Sequence, residues 1–202
     1  MAAPTKLNRR AELARLAGCK VTRGGDVTIG ATVYPSWDID FRSNAQIIEL
    51  LNVWAHDDAQ HDQAIARIAN NFRAWASSLN AAGAPAFAEL ALAKKVHKFV
   101  RDVIRFQPEE VEAHRVSSLT LALGAGDCDD QSVFLAALAE ACGLPARVEG
   151  IKIRGEIAHA CSRIRVASRW EWAETTVPAI FGEHPLAAAR RLGLKQRTDL
   201  TG

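Results

Sequence analysis

The stretch Gly126-Asp127-Cys128-Asp129-Asp130-Gln131-Ser132 continues as Val133-Phe134-Leu135-Ala136-Ala137-Leu138-Ala139-Glu140-Ala141-Cys142-Gly143-Leu144-Pro145-Ala146-Arg147. It predicts a tight turn, a long helix and an abrupt stop. Asp127 suits the N-cap, where a carboxylate accepts from orphan N–H groups of the first turn, and Asp130 suits a capping-box-like partner. Gly143 suits the left-handed position just past a helix, and Pro145 cannot continue one. The residues between are apolar on nearly every side, the pattern of a helix buried in the middle of a domain. A buried helix therefore begins with a thiol.

Beyond Pro145 the hydrophobic period changes from helical to two. Residues 146–153 alternate, Arg154-Gly155-Glu156 turns the chain, residues 157–166 return, and residues 170–177 form a third strand after Ser168-Arg169. Three hairpin-linked strands predict an antiparallel sheet packed on the central helix. His159 falls on the second strand and Glu174 on the third, and residues on neighbouring strands can stand side by side on one face. If the helix N-terminus abuts that face, Cys128, His159 and Glu174 meet. They form a set of thiol to attack, imidazole to take its proton, and carboxylate to orient the imidazole. The helix N-terminus favours a thiolate, and backbone N–H groups near Cys128 are candidate oxyanion donors. Asp127, Asp129 and Asp130 oppose the thiolate unless capping and salt bridges consume them. An imidazolium at His159 is the expected compensation. Trp172 shares the strand face of Glu174 and is expected to pack over the histidine, and Cys161 shares the face of His159.

Upstream, residues 7–17 predict a short helix and residues 20–34 a small hairpin. Ser43 or Asn44 caps a helix carrying Ile47, Ile48, Leu51 and Trp54, and Asp57 or Asp58 is expected to start another, with Ile65, Ile68, Phe72 and Trp75 inward. After a breaker at 80–85, a third long helix from about Ala86 to Phe106 is expected to bury Phe87, Leu90, Phe99, Val100, Val103 and Ile104. His56, His61, His97 and His114 are expected in solvent. Residues 1–85 read as a helical and hairpin extension and 86–202 as a catalytic core, forming one compact unit.

Composition narrows the function classes. At 202 residues, 49% hydrophobic and 24% charged, the chain is an ordinary globular protein, and its net charge of +2 argues against nucleic acid or an anionic membrane as partner. No apolar run approaches the roughly 20 residues of a membrane span. The segment from Met1 to Ala17 lacks the apolar core of a secretory signal, so a cytoplasmic location is expected. Of the four cysteines (Cys19, Cys128, Cys142 and Cys161), Cys128 and Cys142 sit about 21 Å apart on one helix and cannot pair, so reduced thiols are expected. No metal and no cofactor is expected. The acidic run lacks the glycine and distal glutamate of an EF-hand loop, and Cys128, His159 and Cys161 lack a closely spaced cysteine pair.

Gly-Asp-Cys-Asp-Asp-Gln-Ser, followed by an Ala/Leu-rich helix and Gly-Leu-Pro-Ala-Arg-Val, resembles the transglutaminase-like (papain-like) cysteine enzyme superfamily. It is most similar to the bacterial and bacteriophage transglutaminase-like cysteine peptidases. The resemblance runs from about Ile104 to Thr176, with His159-Ala160 matching the histidine strand and Trp172-Ala-Glu174-Thr-Thr176 matching Trp-x-x-Asp-x-Thr in part. It implies an α+β papain/transglutaminase-like core with a mainly helical N-terminal part. It also implies Cys128 as nucleophile, His159 as general base and acid, and Glu174 as the orienting residue. Glu174 stands where the family usually has Asp, one methylene shorter, which predicts an altered geometry at His159. Asp127, Asp129, Gln107 and Trp172 are the candidates for contacting substrate or the oxyanion.

The function these features imply is a cysteine-dependent hydrolase or peptidase that opens amide bonds of a protein or peptide through a Cys128 thioester. Two alternatives stand beside it: an acyl-transferring transglutaminase, and a non-catalytic module on the same fold within a phage particle or cell-envelope assembly. The last would make the location virion-associated.

Overall fold

The chain begins with α1 (Lys6–Leu16), a hairpin of β1 (Lys20–Ile29) and β2 (Thr32–Asp40), and three helices, α2 (Asn44–His61), α3 (Gln63–Ala81) and α4 (Pro85–Val103). A two-residue strand β3 (Arg105–Phe106) leads through α5 (Ser117–Leu123) to its parallel partner β4 (Ala125–Gly126), and then to α6 (Cys128–Ala141). Strands β5 (Ala146–Ile153), β6 (Glu156–Val166) and β7 (Arg169–Ala173) follow, and α7 (Pro185–Arg191) comes last. The computed structural model describes residues 6–29, 32–40, 42–81, 85–108 and 115–194. His114, the centre of the 80–85 breaker and the tail from Lys195 onward lie outside the described residues.

α6 is the axis of the core. Every residue from Val133 to Ala139 is essentially inaccessible, because α2 to α5 pack on one side of the helix and the sheet on the other. The sheet order is β5-β6-β7 and all its pairings are antiparallel, as the strand pattern predicts. Ala160, Ile164, Val166 and Ala173 turn inward with Ala146 and Val148, and Ser162 Oγ donates to Ser132 O of α6 at 2.8 Å. Asp127 Oδ1 caps α6 by accepting from Asp130 N at 3.2 Å, and Gly143 takes the expected left-handed conformation with φ +88°. The reciprocal half of the capping box does not form. The Asp130 carboxylate instead accepts from the Arg115 guanidinium at 2.6 Å and the Arg115 backbone N–H at 2.9 Å. Gly126 permits the tight entry, since a Cβ there would lie 2.7 Å from Asp130 Cβ.

Three upstream expectations are corrected. α2 does not break at Asp57 or Asp58 but runs to His61, and Asp62 caps α3 through bonds to the N–H groups of Ala64 (2.8 Å) and Ile65 (3.2 Å). Asp58 is buried and accepts from Arg10 at 2.7 Å, so its carboxylate is consumed across helices. On α4, Val100 and Ile104 are buried and Leu90 and Phe99 pack against the core as expected, but Phe87 and Val103 do not turn inward. The buried stripe of α4 is Ala88, Leu92, Ala93, Val96, His97, Val100 and Ile104, leaving Phe87 63% and Val103 40% exposed. α4 packs against α3 and α6, with Phe99 edge-on to Phe72 of α3 at 5.4 Å, and that contact sets the inward face. His97 is therefore 2% exposed instead of solvated, whereas His56 and His61 are exposed. None of the four cysteines is in a disulfide. Among the described residues, no helix is long and apolar enough to cross a membrane.

Candidate active site

The first turn of α6, the middle of β6 and the chain just past β7 converge. A cleft of about 280 Å³ is lined by Asp127, Cys128 and Asp129 from α6, by Ile157 to Ala160 from β6, and by one face of α2. Cys128 is half-buried there. Behind the cleft wall, His159 Nε2 lies 2.6 Å from Glu174 Oε2, with both side chains almost completely removed from solvent. The other carboxylate oxygen of Glu174, Oε1, accepts from the N–H and the hydroxyl of Thr176, both at 2.7 Å. Glu174 lies one residue beyond β7, and there its extra methylene still reaches the imidazole. His159 Nδ1 is buried and has no hydrogen-bond partner. With Nε2 committed to Glu174, Nδ1 is the nitrogen left to exchange a proton with a group in the cleft.

The electrostatics of the two ends differ. Burial alone would raise the Glu174 carboxyl, but the charge and hydrogen bond of His159, with the two bonds from Thr176, outweigh it and hold that carboxyl below its ordinary value. At Cys128, burial first and then the charges of Asp127 and Asp129 push the thiol well above its ordinary value, while the Ala160 backbone N–H favours the thiolate. The helix N-terminus acts against these charges, and burial with Asp127 and Asp129 favours the thiol over the thiolate at Cys128. Asp130 is paired with the Arg115 guanidinium; burial and its neighbours Asp129 and Asp127 raise its carboxyl, against the opposing charge of Arg115. Asp127→Asn keeps a cap acceptor and removes a charge. It is expected to move the alkylation profile of Cys128 by iodoacetamide to lower pH, from a wild-type midpoint above the ordinary ~8.5. Mass spectrometry at each cysteine reads the shift, and an unmoved profile would rule out Asp127 as its cause.

The remaining candidates divide. Asp127 and Asp129 line the cleft. Gln107 does not: its backbone N–H donates to Gly126 O at 3.0 Å, close to Cys128, but its exposed side chain accepts from Arg105 at 3.3 Å. Trp172 packs on a different histidine from the one expected, with its ring 4.7 Å from His184 and under the Arg163 guanidinium at 4.6 Å. The register explains this, since Trp172 pairs with Arg163, four residues along β6 from His159. Cys161 is buried, donates to Ser162 O at 3.4 Å and lies outside the cleft lining. Asp127, Asp129 and Asp130 gather their carboxylates within 4.8 Å, but the capping and Arg115 bonds already occupy them.

One functional neighbour escaped the sequence reading. His97 Nε2 donates to the backbone O of Glu174 at 2.6 Å, and its ring rests 5.7 Å from that of Phe181. Burial pushes the His97 imidazole down, keeping it uncharged beside the carboxylate. The signal was present: residues 93, 97, 100 and 104 have core spacing on α4, and a histidine on such a stripe needs a buried partner.

A nucleophile-bearing helix set against an antiparallel sheet, with a buried imidazole–carboxylate pair beside it, defines a papain/transglutaminase-like core. The chain belongs to the transglutaminase-like superfamily, whose sequence profile matches residues 73–175, just over half of its length. No curated protein matches the sequence. Among solved structures, the chain is similar to a candidate cysteine protease from Cytophaga hutchinsonii, at 18% identity over 50% of this chain and 37% of that one, with a TM-score of 0.37. It is also similar to a candidate protease from Parabacteroides distasonis ATCC 8503, at 10% identity over 77% of this chain and 35% of that one, with a TM-score of 0.43. The chain thus spans little more than a third of the length of the solved proteins it matches.

Proposed function

We propose that this protein is a cysteine-dependent hydrolase or peptidase that opens amide bonds of a protein or peptide through a Cys128 thioester. The observation that supports it is the His159–Glu174 pair at 2.6 Å, whose free Nδ1 belongs to a ring lining the same cleft as Cys128. Since burial and two carboxylates favour the thiol at Cys128, attack and deprotonation are coupled in this reading. Cys128 Sγ bonds to the amide carbon while its proton passes to His159 Nδ1. The C–N bond then breaks as that proton passes to the departing amine, leaving a thioester. Backbone N–H groups in the first turn of α6 are the donors for the transient oxyanion. Water attacks the thioester to release the acid, and an amine in its place gives a new amide, the transglutaminase outcome. His159 takes the proton of either nucleophile and returns it to Cys128 Sγ as the C–S bond breaks.

One observation favours the second reading, a non-catalytic binding or assembly module: the Asp127 and Asp129 carboxylates line the cleft beside Cys128 and disfavour its thiolate. Intact-mass spectrometry after acid quenching of a peptide-library incubation separates the two. The enzyme is expected to carry an acyl adduct on Cys128 and to produce new peptide ends, or amine-capped peptides when a primary amine is added. Both signals must vanish in Cys128→Ala. A chain that shows neither adduct nor product is a binding module.

A further inference from the structure

The cleft has one wall that the family match does not include. α2 ends at His61, ahead of the matched residues 73–175, yet it contributes Asn44, Ile47, Ile48 and Leu51 to the lining. Its position is held by side chains that bond to the sheet backbone. Asn44 Nδ2 donates to Ile157 O at 2.8 Å. Asn52 donates to Val148 O and accepts from Val148 N, both at 2.8 Å, pairing with β5 as an added strand residue would. Gly150 allows the approach, since a Cβ there would lie 2.7 Å from Ile157 Cγ2 and 3.1 Å from Ile48 Cγ1. Across the cleft stand Ile157 and Ala158, and at its Cys128 end stand Asp127 and Asp129; none of the described lining residues is Lys or Arg.

Resting on the acyl-transfer reading above, we propose that this cleft receives an uncharged aliphatic side chain of the acyl-donor peptide, with α2 as the specificity wall, and excludes donors carrying a carboxylate beside the reacting carbonyl. An aliphatic side chain leaves water for a surface of isoleucine and leucine. A carboxylate in the same place loses its hydration, meets no cation and faces two carboxylates of like charge. The volume of about 280 Å³ holds one such side chain with the amide to be opened.

Dipeptidyl vinyl sulfones that differ in one side chain (Leu, Ala or Asp) test this, with labelling of Cys128 read by mass spectrometry and normalised in each variant to its own iodoacetamide rate. The Leu probe is expected to label wild type about tenfold or more faster than the Ala or Asp probe. Ile48→Trp fills the cleft, and Gly150→Ala pushes Ile48 and Ile157 into it; either is expected to bring the Leu-to-Asp ratio close to one, with folding checked by circular dichroism. Equal labelling of wild type by Leu and Asp probes overturns the inference, as does a Leu preference that survives both substitutions. If no probe outpaces iodoacetamide at Cys128 and His159→Ala changes no rate, the acyl-transfer reading itself fails and takes the inference with it.

Discussion

Glu174→Gln is expected to lower kcat by about a thousandfold or more, with the fold and the shape of the site kept. Oε1 accepts from the N–H and the hydroxyl of Thr176, so the carbonyl oxygen of a glutamine must take that place. Its NH2 group then faces His159 Nε2, which can only accept from it. The ring proton is forced onto Nδ1, and the nitrogen beside the cleft can no longer take the proton of Cys128. Wrong-tautomer substitutions of this kind in other nucleophile–histidine–carboxylate sites cost about 10⁴-fold. Steady-state kinetics on whichever peptide the library screen identifies measures the effect, and a loss below about tenfold would remove Glu174 from the mechanism. The substitution also changes stability against pH. The folded Glu174 carboxyl is held below its ordinary value, so its contribution is fully present above the unfolded carboxylate pKa and is lost as pH falls through the lower, folded one. Urea titrations at neutral and acidic pH should show a flatter acid limb for Glu174→Gln than for wild type.

Asp58→Ala is expected to destabilise the protein by about 3–5 kcal/mol, the range for breaking a buried ion pair from one side. The Arg10 guanidinium, with a side chain only 6% exposed, donates to Asp58 Oδ2 at 2.7 Å. The same oxygen accepts from the Ser117 N–H at 2.9 Å and its hydroxyl at 2.6 Å. Removing the carboxylate leaves a cation, an amide and a hydroxyl buried without that acceptor, although Arg10 keeps its bond to Arg115 O at 2.5 Å and its place 4.9 Å from the Trp54 ring. Arg10→Met in the Asp58→Ala background is expected to recover part of the loss, because it removes the uncompensated charge. Denaturant midpoints of the two variants and wild type give the comparison. The cost reaches the candidate site as well, since Arg115, two residues before Ser117, holds Asp130 in the first turn of α6.

What could be read before folding was whatever neighbouring residues settle among themselves. Asp127, Gly143 and the apolar run between them specify α6 and its ends, because capping, left-handed backbone and helix propensity act within a few residues. The period-two segments specify β5 and β6 for the same reason, and their turns place His159 on β6 and Glu174 just past β7, close enough to meet. Local rules left the partners open. Phe87 and Val103 face solvent and His97 the core because the packing of α3 and α6 selects the inward face of α4, and that choice depends on residues far along the chain. The state of the Cys128 thiol depended on where four carboxylates and one guanidinium came to rest: Asp130 turned to Arg115, Glu174 turned to His159, and Asp127 and Asp129 stayed beside the sulfur. By itself the sequence determined a buried helix headed by a thiol and a sheet bearing an imidazole and a carboxylate. Only the tertiary structure decided that α2 walls the cleft and that Asp127 and Asp129 stand beside the buried thiol, because burial and Coulomb interactions depend on distances in space that no spacing along the chain encodes.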